Sequence, residues 1–221
     1  MSNPFQLIQE FKFTEAVGVL ASTNVNERGN IIFQLKKPDG TIFPYAAINV
    51  NALEALCFMN SVLTLTSNNQ QQIKDRVILL KNCIKTAYNK MENYSSTIWD
   101  GRDNNGNTTA HWLAWGGATE ELYGLLNKHP ELIEDEKKLS RNVFGVTMEV
   151  EHLNVEQKKE LAKVLIPLGI QINNLNTYNI ILQNNEYLEC LKSITENASN
   201  LSLEIFTEFT NNAMTKIGNF N

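Results

Sequence analysis

A chain of 221 residues and 25.0 kDa, 43% hydrophobic, can bury a core of its own, and one continuous domain is the simplest reading. The formal net charge of −5 and sequence pI near 5.3 leave no broad basic footprint, which excludes general nucleic-acid binding. Cys57, Cys83 and Cys190 are widely spaced and form no C-x-x-C pair, which excludes a disulfide framework and points to a reducing compartment with the thiols as core filling.

In chain order, the opening MSNPFQLIQEFKF lacks the basic and long apolar regions of a secretory signal. No window approaches about 18 uninterrupted apolar residues, so a soluble chain without membrane insertion is expected. Phe13, Val17 and Leu20 mark an apolar helix, followed by a polar stretch and Gly29. Asp39 to Asn51, DGTIFPYAAINVN, places Gly40 in a turn ahead of a small-residue run, with a helix through Glu54 and Leu56 after it. Ile73, Val77, Leu80, Ile84, Ala87 and Met91 recur at helical spacing between Asn68 and Asp100 and predict one long amphipathic helix.

Asp103 to Gly117, DNNGNTTAHWLAWGG, joins a Gly-centred polar turn to a small-residue helix that ends at glycine. Thr108 can cap that helix, Ala110 and Ala114 allow close backbone approach, and Gly106 and Gly117 suit turns. Gly40 and Gly106 are 66 residues apart, as are Glu54 and Glu120, and Leu56 and Leu122. Beyond the charged run Glu134 to Arg141, the segment LAKVLIPLGIQIN brings Leu165, Gly169, Ile172 and Asn173. Two helical faces close the chain, one through Tyr187, Leu188, Leu191 and Ile194 and one through Ile205, Phe206, Phe209 and Met214. Asparagine, about 14% of the chain, clusters at turn-like pairs such as Asn173 and Asn174.

The turn followed by Thr108, Thr109, Ala110, His111, Trp112 and Leu113 resembles the ankyrin-repeat motif T-P-L-H-x-A, with Thr and His in the family positions. The 66-residue offset is roughly two ankyrin periods of about 33, and Tyr45 would stand where His111 does. The resemblance implies an all-α, ankyrin-like helical repeat solenoid with irregular terminal units. Approximate units are 5–37, 38–67, 68–102, 103–133, 134–173 and 174–221, the last capping the stack. It further implies a monomer that binds another protein through a concave strip of turn tips and inner-helix residues, without cofactor or metal. The partner-binding positions would be Arg102, Asn104, Asn105, Asn107, Trp115 and Gly116, with Lys36, Pro38, Asp39, Thr41, Asn49 and Val50 in the earlier copy. Repeat-structural positions would be Gly40, Tyr45, Gly106, Thr108, His111, Gly117 and Gly169, His111 bonding neighbouring turn backbone.

Trp115 reads either as a binding anchor or as packing against a neighbouring repeat, and Trp112 takes a core position. His129 and His152 lie outside metal-ligand spacings, and no phosphate-binding or nucleophile-elbow motif is present. The competing reading is a cysteine-dependent hydrolase or transferase using Cys57 or Cys83 with His111 and an acid such as Asp103. By analogy with ankyrin modules of intracellular bacteria, the partner would be a host protein or another bacterial effector. The chain would then be cytoplasmic, or secreted into a host cell without a cleaved signal.

Overall fold

The computed structural model describes residues 3–21, 24–36, 42–66, 70–94 and 98–133, with the single positions Val143, Leu153, Gln157, Lys158, Glu160, Leu161 and Leu165. Helices α1 (Pro4–Gln9) and α2 (Phe13–Gly18) lead into strands β1 (Gly29–Lys36) and β2 (Ile42–Val50). Helices α3 (Ala52–Thr66), α4 (Gln70–Tyr94), α5 (Thr109–Trp115) and α6 (Thr119–Lys128) follow, with short 3-10 turns at Ile98–Asp100 and Pro130–Ile133.

The antiparallel β1–β2 pair overturns the all-α solenoid expected from the repeat pattern: the described residues form a mixed α/β fold. The correction falls on the earlier motif copy. Tyr45, Ala47 and Ile48, matched by period to residues of a helix, lie on β2, where Tyr45 pairs with Phe33 and Ala47 with Ile31. The local chemistry favours the strand. IFPYAAINV is rich in β-branched and aromatic residues, and Pro44 would break a helix interior yet is tolerated in a two-stranded sheet, where every strand is an edge. Alternation follows the pleat: Ile31 and Ala47 are buried and Phe33 and Tyr45 half-buried, while Ile32, Gln34, Pro44 and Ala46 face outward.

α3 is apolar around its circumference and forms the centre of the core, every residue from Asn51 to Leu63 being buried. It packs on α1, α4, α5 and both strands. The periodicity read from Ile73 to Met91 corresponds to α4, which buries Leu80, Ile84, Ala87 and Met91 on one face. α4 also closes the short α2: Lys90 Nζ donates to Val17 O at 2.8 Å and Leu20 O at 3.1 Å, placing a cation at the carbonyl end of the helix.

α5 and α6 reach α3 through a glycine pair. A Cβ on Gly116 would stand 3.0 Å from Cys57 Cβ, and Asn60 Nδ2 donates to Gly116 O at 3.0 Å. Gly117 turns the chain at φ +66, with Leu153 lying against it. Val143, Leu153, Leu161 and Leu165 are buried in the same core. Units 134–173 and 174–221 otherwise lie outside the described residues, as do Pro38, Asp39, Gly40, Thr41, Gly169 and Cys190. Among the described residues no helix is long and apolar enough to cross a membrane.

Candidate interaction surface at the 102–107 turn

The turn between the 3-10 turn at Ile98–Asp100 and α5 is built on one buried carboxylate. Asp103 Oδ1 accepts from Asn105 N and from Asn107 N, both at 2.8 Å, and Asp103 Oδ2 accepts from Asn107 Nδ2 at 2.8 Å. The backbone closes the same loop, Asp103 N donating to Asn107 O and Gly106 N to Asp103 O, each at 3.0 Å. Gly106 takes φ +81, a conformation open to glycine at no steric cost, and Arg102 Nη1 donates to its carbonyl at 3.0 Å. Arg102, Asn104 and Asn105 are left exposed on the rim, while Asn107 is buried beneath them and serves the loop itself.

The rim is tied to the end of β2. Asn104 N donates to Ile48 O at 3.2 Å, and Asn49 Nδ2 donates to Arg102 O at 3.0 Å. Asn49 holds φ +61, which asparagine tolerates better than most residues with a side chain, and its own N–H is taken by Asn30 Oδ1 at 2.9 Å. Asn49 is itself exposed, so Arg102, Asn104, Asn105 and Asn49 form one polar surface at the junction of β2 and the turn.

Beneath this surface sits a buried polar cluster. Asn51 and Glu54 cap the start of α3 reciprocally: Glu54 N donates to Asn51 Oδ1 and Asn51 N to Glu54 Oε2, each at 2.9 Å. Arg28 Nη2 reaches Glu54 Oε2 at 2.8 Å, and Arg28 Nε donates to Asn49 O at 2.7 Å. Thr109, at the start of α5, donates from Oγ1 to Glu54 Oε1 at 2.8 Å and accepts from Asn51 Nδ2 at 3.2 Å. Burial raises the Glu54 carboxyl from its ordinary 4.5 to about 7; Arg28, Asn51 and Thr109 oppose that rise, and the charge of Asp103 adds to it.

Thr108 is the N-cap of α5, its N–H donating to His111 Nδ1 at 3.2 Å and its hydroxyl lying 2.8 Å from the same nitrogen. His111 is therefore buried and engaged with the backbone of the turn. Trp115 lies at the far end of α5, half-buried, stacked on Trp112 at 5.4 Å, with its carbonyl accepting from Ser61 Oγ at 3.4 Å. Thr109 and Trp115 are six residues apart, about 9 Å of helix rise, so Trp115 is not part of the rim. Gly116 and Val50, expected with the binding residues, are buried.

The thiols of the competing catalytic reading are buried too. Burial pushes Cys57 well up, with the charges of Glu121 and Glu54 acting in the same direction; burial also raises Cys83, against a hydrogen bond from Thr14. Neither has the lowered pKa that makes a thiol nucleophilic. Among the described residues no group of His, Cys, Asp and Glu is arranged to hold a metal ion. The Arg28–Glu54–Thr109 cluster escaped the sequence reading, although Asn51-x-x-Glu54 ahead of an apolar run is a legible capping signal. No family model, curated protein or solved structure matches the chain.

Proposed function

We propose that the protein binds another protein through the rim of the 102–107 turn, with Arg102, Asn104, Asn105 and Asn49 as contact residues. The observation that carries this reading is the division of labour within the turn: Asp103, Gly106 and Asn107 fix its shape from inside, Arg102 braces it through Gly106 O, and Arg102, Asn104 and Asn105 are exposed. A rim ordered before binding loses little conformational entropy on contact, which is how a small polar surface sustains affinity. Arg102, which gives one donor to Gly106 O, adds a planar cationic group suited to carboxylates and carbonyls of a partner. The burial of Cys57 and Cys83 weighs against the catalytic alternative.

Quantitative affinity capture from source-cell and host-cell lysates tests the reading, comparing wild type with Arg102→Ala/Asn105→Ala at equal thermal stability. A partner held by wild type and lost from the variant is the expected outcome. A partner held equally by both contradicts it.

A further inference from the structure

The Arg28–Glu54–Thr109 cluster joins four separate parts of the fold: the residue before β1, the end of β2, the cap of α3 and the start of α5. It stands one hydrogen bond from the rim, because Arg28 holds Asn49 O and Asn49 holds Arg102 O. We propose that Glu54 is a proton-operated latch: on taking up a proton it loosens Arg28, and with Arg28 the grip of Asn49 on the Arg102–Asn105 rim. As regulation of binding this rests on the reading of that rim as a partner surface.

The chemistry of the exchange is local. The Glu54 side chain has no exposed surface, whereas 20% of that of Arg28 remains accessible, so the cluster meets solvent on the Arg28 side. The arriving proton goes to Glu54 Oε1. Thr109 Oγ1 then turns from donor to acceptor, which its two lone pairs allow while Asn51 Nδ2 still donates to it, and its own hydroxyl hydrogen gives up the Glu54 carboxylate as acceptor, a cost set against the charge that burial no longer has to hold. Glu54 loses its charge, and the Arg28 guanidinium, still cationic, keeps a neutral carboxyl oxygen as acceptor but loses the ion-pair attraction that held it there. Its Nε contact to Asn49 O then competes with water.

Charged and titratable groups around Glu54 are Arg28 from the segment before β1, Asp103 from the turn and Cys57 from the next turn of α3. α5 contributes Thr109, and its His111 is engaged with Thr108, Nδ1 accepting from the Thr108 N–H at 3.2 Å. The rise of the Glu54 carboxyl to about 7 places the exchange where small changes of pH act on it.

NMR titration of the whole chain from pH 5.5 to 8.5 tests the proposal. The readouts are the Glu54 side-chain carboxyl carbon and the amides of Asn49, Arg102, Asn104 and Asn105, in wild type and in Glu54→Gln. Carboxyl and rim amides should shift together in wild type with one midpoint, and the rim amides of Glu54→Gln should stay flat. Rim amides that do not respond to pH overturn the latch, as does a response that persists in Glu54→Gln, which would assign it to another group. If Glu54→Gln does not fold, the wild-type comparison decides alone: rim amides whose midpoint differs from that of the carboxyl overturn the proposal. No partner enters this measurement, so a flat rim removes the latch alone, whereas partner capture indifferent to Arg102→Ala/Asn105→Ala removes the binding reading alone.

Discussion

Glu54 Oε2 lies 2.8 Å from Arg28 Nη2, 26 residues earlier in the chain, and the pair joins a wholly buried carboxylate to a guanidinium that still touches solvent. Such a carboxyl makes stability depend on pH with a definite sign. Below pH 4.5 it is protonated whether the chain is folded or not; between 4.5 and about 7 only the folded chain holds the proton. Stability therefore falls as pH rises through that window, and above about 7 the loss is complete, on the order of 3 kcal/mol. Urea unfolding at a series of pH values should show the fall in wild type and its disappearance in Glu54→Gln. An identical fall in both proteins would assign it to other groups.

Asp103→Ala should loosen the turn without unfolding the protein. The substitution leaves Asn105 N and Asn107 N without their shared acceptor, at a cost of about 1–3 kcal/mol for the buried donor. Hydrogen exchange of residues 104–107 should accelerate while amides of α3 keep their protection. Uniform acceleration across both regions would mean that the turn is no separate unit.

Gly116→Ala should destabilise the whole molecule. Its new Cβ would lie 3.0 Å from Cys57 Cβ and 3.3 Å from Cys57 Cα, and the backbone of a central helix cannot yield as a flexible side chain can. Overpacking of this kind costs about 1–3 kcal/mol. Thermal and urea unfolding measure it, and a variant as stable as wild type would show that α3 and α5 approach less closely than described.

Cys57 and Cys83 should react with an aromatic disulfide reagent at neutral pH only as fast as the protein opens. Both are buried and both hold their protons more firmly than a free thiol. Rapid labelling of either in the native state, resolved by peptide mass spectrometry, would restore the catalytic reading.

Legibility in the sequence divided by the range of the interactions involved. α4 was readable because Leu80, Ile84, Ala87 and Met91 repeat at the helical period and face the core at that spacing. The 102–107 turn was readable because Asp, Asn and Gly act on their own neighbours in sequence. The hairpin was obscured by the 66-residue offset, which matches Tyr45, Ala47 and Ile48 to His111, Leu113 and Ala114 of a helix. Ala46 is apolar yet faces outward, which blurs the alternation that would have revealed β2. The buried cluster combines both cases: Asn51 and Glu54 cap α3 locally, but Arg28 and Thr109 arrive from 26 and 55 residues away, and no local pattern announces such a meeting.

Site-specific photo-crosslinking in living source or host cells tests the proposed binding surface most directly, with the crosslinker placed either at Asn105 on the rim or at Ile78 on the solvent face of α4. Both side chains are exposed, so reagent access does not separate them. A discrete adduct from Asn105 and none from Ile78 is the result predicted. An adduct from Ile78 alone, or from neither position, would contradict the assignment of binding to the 102–107 turn.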